Sequence, residues 1–163
     1  MKALYLIFLG YVGVSCTQLL QNDLQAYNYC LHNPESFIAI VWPIAQGKDT
    51  LIKNILNRYG KIVYQKNFYF TKLLAHTILQ LAHQHIPSNQ PHCGSLKEHV
   101  KWYFPKSVYQ HPARIFVVHF DNAALALKAK YAVRKLFPDL QYRSIHINDY
   151  HAETVQLADF FLR

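Results

Sequence analysis

His146 lies in the segment Arg143-Ser144-Ile145-His146-Ile147-Asn148-Asp149, where a short β-branched run gives way to an amphipathic helical pattern. A neutral imidazole near a strand end can attack phosphorus or take up a proton near pH 7, and a carboxylate three residues on can orient it or bind a cation beside it. His146 and Asp149 are therefore the candidate catalytic pair, and phosphoryl or proton transfer is the chemistry they suit. Each has a plainer alternative. The chain carries ten histidines, so His146 can equally be a core imidazole bonded to a carbonyl, and Asp149 can be the N-terminal cap of the next helix, which ranks first for it.

The elements that must position this pair follow from periodicity. Phe37-Ile38-Ala39-Ile40-Val41 is a short continuous apolar run, the pattern of a strand covered on both faces. A helix capped by Asp49 or Thr50 runs to Tyr59, with Gly60 as a left-handed stop. A β-branched and aromatic strand over 61–69 follows, then a helix that Thr71 caps. Residues 87–112 hold four of the chain's seven prolines and a short helix near 96–103, and an irregular connection of that length is often functional. The strand 114–120, a helix capped by Asn122, a strand over 143–147 and a final helix bearing Val155, Ala158, Phe161 and Leu162 complete the series. On the last strand Arg143 shares a face with Ile145, and His146 takes the other.

Two split βαβ units of this length predict an α/β (α+β) fold: a ferredoxin-like four-stranded antiparallel sheet with helices on one face and additional helices around it. A doubly wound parallel sheet is the alternative. The 163 residues, 52% of them hydrophobic, suffice for one core. Residues 1–36 are assigned to a signal-like segment and a linker or short helix, and 37–163 to the folded domain.

At the N-terminus Lys2 precedes an apolar run from Ala3 to Val14 that ends at Ser15-Cys16, a short export-signal pattern in which Cys16 could carry lipid. With cleavage the chain is exported or envelope-associated, and membrane-bound only if Cys16 is lipidated; otherwise it is cytoplasmic, and the run serves as a buried strand or helix. Seventeen Lys and Arg against nine Asp and Glu give a formal charge of +8, which favours anionic partners. Nucleotide, nucleic acid, a protein partner and a second copy of the chain all stay open. The histidines at 76, 83 and 85 lack a carboxylate or cysteine at matching spacing, so no metal site is assigned. No dinucleotide glycine pattern, serine elbow or zinc-protease helix is present.

In order and content, residues 37–162 resemble a divergent nucleoside diphosphate kinase. The run Phe37 to Val41 with Trp42-Pro43-Ile44-Ala45 is similar to that family's opening strand and its lysine-proline-aspartate-alanine turn. Pro112 through Phe120 with Asp121-Asn122-Ala123 resembles its third strand, and Ile145-His146-Ile147-Asn148-Asp149 resembles the histidine-glycine-serine-aspartate segment that bears its phosphohistidine. The resemblance implies a nucleotide-binding phosphotransferase that uses Mg²⁺ with a nucleoside triphosphate and passes the γ-phosphoryl group through His146. It also puts Lys128 at a phosphate-binding arginine, with Arg134, Arg143 and Lys130 as further cations. Trp42 stands at a phosphate-contacting lysine, as a core aromatic or a platform for a base. Ile44 replaces the aspartate, Ile147 the glycine, and the interval from Lys128 to His146 is too short for two of the family's phosphate-holding segments. A catalytically degenerate binding domain of the same fold is the second expectation.

Overall fold

A computed structural model describes residues 19–83, 96–105 and 109–163; the signal-like run, Cys16 and His85 lie outside these residues. The order is α1 (Asp23–His32), β1 (Ser36–Val41), α2 (Asp49–Tyr59), β2 (Lys61–Phe68), α3 (Lys72–His83), α4 (Leu96–Tyr103), β3 (Ala113–His119), α5 (Ala123–Lys135), a 3-10 turn (Gln141–Arg143), β4 (Ile145–Ile147) and α6 (His151–Leu162). The strands form one sheet in the order β2-β3-β1-β4, and every pairing is antiparallel. This is the ferredoxin-like arrangement, and it sets aside the doubly wound parallel sheet.

All six residues of β1 are buried, as its unbroken apolar run requires, because helices cover both faces of the sheet and not one. On the first face Ile52 and Leu56 of α2 and Ala126, Ala129 and Val133 of α5 pack on Phe37, Ala39, Val41, Phe116, Val118, Ile145 and Ile147. On the second, α1, α3, α4 and α6 pack on Ile38, Ile40, Ile115 and Val117. Within the stretch read as a linker or short helix, Asp23–His32 form the helix α1. Asn22 caps α1 by accepting the Gln25 N–H at 2.9 Å, and Ala26 and Cys30 are fully enclosed in the core. Asp23 ties α1 to β2, accepting from Lys66 Nζ at 2.6 Å and from the Tyr64 hydroxyl.

Two boundary expectations are corrected. The residue before α2 is Lys48, whose side chain makes no cap bond, because the Asp49 carboxylate is drawn to Arg114 Nε at 2.8 Å. Gly60 is extended, at φ −155°, and not left-handed; glycine is needed there because a Cβ would stand 2.5 Å from the His119 carbonyl oxygen and from the Phe120 ring.

Candidate functional site

β4 is three residues long and pairs with β1 through Ile40 and His146. Ile145 and Ile147 turn into the first core and have no exposed surface, so His146 between them must face the opposite side of the sheet. Its side chain is 12% exposed, and its Nε2 lies 2.8 Å from Glu153 Oε1. Glu153 stands in the first turn of α6, is 3% exposed, and accepts the Asp149 N–H through Oε2 at 3.1 Å. With the ring neutral, a carboxylate so placed favours the tautomer that carries its proton on Nε2 and its lone pair on Nδ1. Sequence reasoning missed Glu153: an acidic residue in a first turn complements the helix dipole, and nothing in its spacing signals that it reaches back to a strand.

Below the histidine, Asn148 completes what the short strand cannot. Its Oδ1 accepts the Ile38 N–H at 2.6 Å, and its Nδ2 donates to Thr154 Oγ1 at 2.7 Å and to the Tyr150 carbonyl at 3.0 Å. Thr154 in turn donates to the Ser36 carbonyl at 2.8 Å. This buried network fixes β4, β1 and α6 together, each polar atom answered by another.

Asp149 is not the cap of α6. The residue before that helix is Tyr150, without a side-chain cap bond, and the Asp149 carboxylate accepts from Lys130 Nζ at 2.7 Å. Lys130 is 6% exposed on the inner face of α5. Lys128, two residues earlier, is exposed, since two positions of an α-helix turn through about 200°. The α5 lysine that meets the segment after β4 is thus Lys130. Arg134, one turn further along that face, is half-buried, and its Nε has no hydrogen-bond partner among the described residues. Burial pulls its guanidinium below the ordinary arginine range, partly offset by Tyr103, Tyr131 and Asp149. Burial and then Tyr142 push the Tyr103 phenol well above its usual value, with Arg134 and Arg143 opposing.

Arg143 is not on a strand. It ends the 3-10 turn and donates to the Asp139 carbonyl at 3.1 Å. Trp42 is fully enclosed, its ring 5.2 Å from Tyr103, 5.7 Å from Phe104 and 6.5 Å from Phe70 between centroids. A base platform needs an open ring face, which Trp42 lacks; it packs as a core aromatic. The structure links His146 to Glu153, Glu153 to the Asp149 amide and the Asp149 carboxylate to Lys130 in series, with Arg134 one turn beyond Lys130 on α5, and gives Lys128 and Trp42 no part in that series. Among the described residues no three histidine, cysteine or carboxylate side chains are grouped to hold a metal ion.

Comparison with protein-family models and with curated proteins finds no match. Among solved structures, the chain is similar to a nucleoside diphosphate kinase of Aquifex aeolicus, with a TM-score of 0.53 and 17% identity over 80% of this chain and 96% of that one. A halophilic nucleoside diphosphate kinase of Halobacterium salinarum, solved in complex with CDP, gives a TM-score of 0.49 and 15% identity over 77% and 87% of the two chains. With its antiparallel sheet in the order β2-β3-β1-β4, the chain has a nucleoside diphosphate kinase-like fold.

Proposed function

We propose that this is a nucleotide-binding phosphotransfer domain in which His146 Nδ1 accepts a phosphoryl group from a nucleoside triphosphate. The observation that carries the reading is the His146–Glu153 pair at 2.8 Å. A carboxylate on Nε2 orients the ring, keeps the attacking lone pair on Nδ1, and would balance the positive charge the ring acquires as the N–P bond forms and the nucleoside diphosphate leaves. Arg134 and Lys130 are the cations proposed to stabilise charge on the phosphoryl oxygens, with Arg143 and Lys128 further out. Mg²⁺ would arrive with the triphosphate and need few protein ligands; Asp149, its side chain 67% exposed, is the carboxylate that fits this role, in competition with Lys130.

A second reading has its own support. Trp42 fills the place of a phosphate-contacting lysine with an enclosed ring, and Lys130 is already committed to Asp149, so binding without phosphotransfer is the alternative. Incubation with γ-labelled nucleoside triphosphate separates the two. Acid-labile label that His146→Ala abolishes supports phosphotransfer. Nucleotide binding without label supports the second reading, and absence of both overturns the nucleotide assignment.

A further inference from the structure

We propose that a polar cavity on the face of the sheet opposite His146 binds a small phosphorylated, hydroxyl-bearing metabolite, with Arg114 and Lys53 holding the phosphate. The cavity measures about 400 Å³ and lies between the start of α2 and strands β2 and β3, within the roughly 300–1,000 Å³ of small-ligand sites. Its placement follows from the register. Asn67 and Gln65 pair with Arg114 and Phe116, and Phe116 belongs to the core under α2 and α5. Lys66, between Gln65 and Asn67, also lines the space, but its ammonium is held by Asp23 and the Phe161 carbonyl on the other face, where Tyr64 also packs. Lys66 therefore brings no charge to the cavity.

Arg114 is the observation that points to a ligand. It is 7% exposed, its Nη2 donates to the Ala45 carbonyl and its Nε lies 2.8 Å from Asp49 Oδ1 as an ion pair, yet neither Nε nor Nη1, both closed to solvent, makes a hydrogen bond among the described residues. A buried guanidinium N–H without an acceptor is costly, and an anion in the cavity that Arg114 lines would supply one once the guanidinium turns toward it. Lys53 lines the same space, so two cations face the single carboxylate of Asp49. The positive end of the α2 dipole is at this wall too, with no side-chain acceptor on Lys48. Gln46, Gln65 and Asn67 add carboxamides, which bond hydroxyl groups in either sense. Inorganic phosphate alone would leave most of the volume empty, which is why the occupant carries a hydroxylated body.

The test is a titration of the full chain, followed by amide NMR shifts, with inorganic phosphate, glucose 6-phosphate and glucuronate. Glucose 6-phosphate is expected to shift the first turn of α2 and residues 65–67, and to bind about tenfold tighter than inorganic phosphate or glucuronate. Lys53→Ala should weaken it about tenfold with an unchanged melting temperature, and Asn67→Ala by a smaller factor; Lys53 is half-buried and Asn67 exposed, so neither depends on the folding of an Arg114 variant. His146→Ala should leave it unchanged, which separates this site from the nucleotide reading. No shift at α2 and β2, shifts confined to the Lys130–Arg134 segment, or glucuronate binding as tightly as glucose 6-phosphate would each overturn the proposal.

Discussion

Glu153 and His146 are joined across β4 and α6 by a 2.8 Å contact, while the second oxygen of the same carboxylate accepts the Asp149 amide at 3.1 Å. One side chain thus orients the histidine and shapes the turn that follows it. Glu153→Ala should cost about 1.5–3 kcal/mol of stability, the range for hydrogen bonds to a charged group, read as a lower urea midpoint. Glu153→Gln preserves the shape but removes the charge, and should lower histidine phosphorylation by about tenfold or more with a smaller loss of stability. Equal labelling of Glu153→Gln and the parent would remove Glu153 from the proposed chemistry.

The two α5 lysines should behave differently. Lys130→Ala frees Asp149 and removes the cation nearest the segment after β4, so ADP affinity measured calorimetrically should fall by about tenfold. Lys128→Ala, on the exposed face, should change it by less than about twofold. The reverse order would move the phosphate site outward along α5.

A lysine placed at position 42 should not create a phosphate contact. The indole is enclosed by Tyr103, Phe104 and Phe70, so Trp42→Lys leaves both a void and an unpaired ammonium and should destabilise by about 3–5 kcal/mol or more. Thermal melts would show it, and a variant that melts with the parent would mean that the aromatic cluster opens readily.

Docking of α1 should weaken at both extremes of pH. Burial acts to raise the Asp23 carboxyl, but hydrogen bonds from Lys66 and Tyr64 and the charge of Lys66 together hold it below its ordinary 3.8. Its contribution is present above that value and is lost as pH falls through the lower folded one. Burial and then Asp23 push the Tyr64 phenol from 10.0 to about 12, so its contribution is complete below the unfolded value and is lost as pH rises from there through the folded one. Protection of the α1 amides, relative to intrinsic exchange at the same pH, should therefore fall below about pH 4 and above about pH 10. Asp23→Asn should flatten both limbs at a cost near ~1 kcal/mol, small because the carboxylate is 44% exposed.

Gly60→Ala tests a close approach. With a Cβ 2.5 Å from the His119 carbonyl and the Phe120 ring, β3 or the ring must shift, at about 1–3 kcal/mol. A neutral melting temperature would show that the Phe120 ring moves freely.

The four strands and the five helices from α2 to α6 were legible because their signals are local. A continuous apolar run marks β1, an Asn122 side chain that accepts the Leu125 N–H at 3.1 Å marks α5, and Thr71 accepts the Leu74 N–H at 3.3 Å before α3. The errors arose where a distant partner competed for a side chain. Asp49 and Asp149 both stand where caps are expected, and both are taken by buried cations, Arg114 and Lys130, because a buried ammonium or guanidinium needs an anionic acceptor more than a solvated helix end needs a cap. Arg143 left its expected strand for a turn whose closing carbonyls lie in 139–141. The site shows the same division. His146 could be found from its strand and its neighbours, whereas Glu153 becomes visible only once α6 folds back on β4.

The brevity of β4 has a kinetic consequence. A ladder of three residues would fray on its own, and what holds it closed is the amide of Asn148 locked to Ile38 and Thr154. Opening of the histidine-bearing edge is therefore set by that side-chain latch together with Ile145 and Ile147, which opening would draw out of the first core, and not by the zippering of a long strand. Its lifetime is then that of one corner of the first core, while the pairing of β1 with β3 and the core on the other face stay intact.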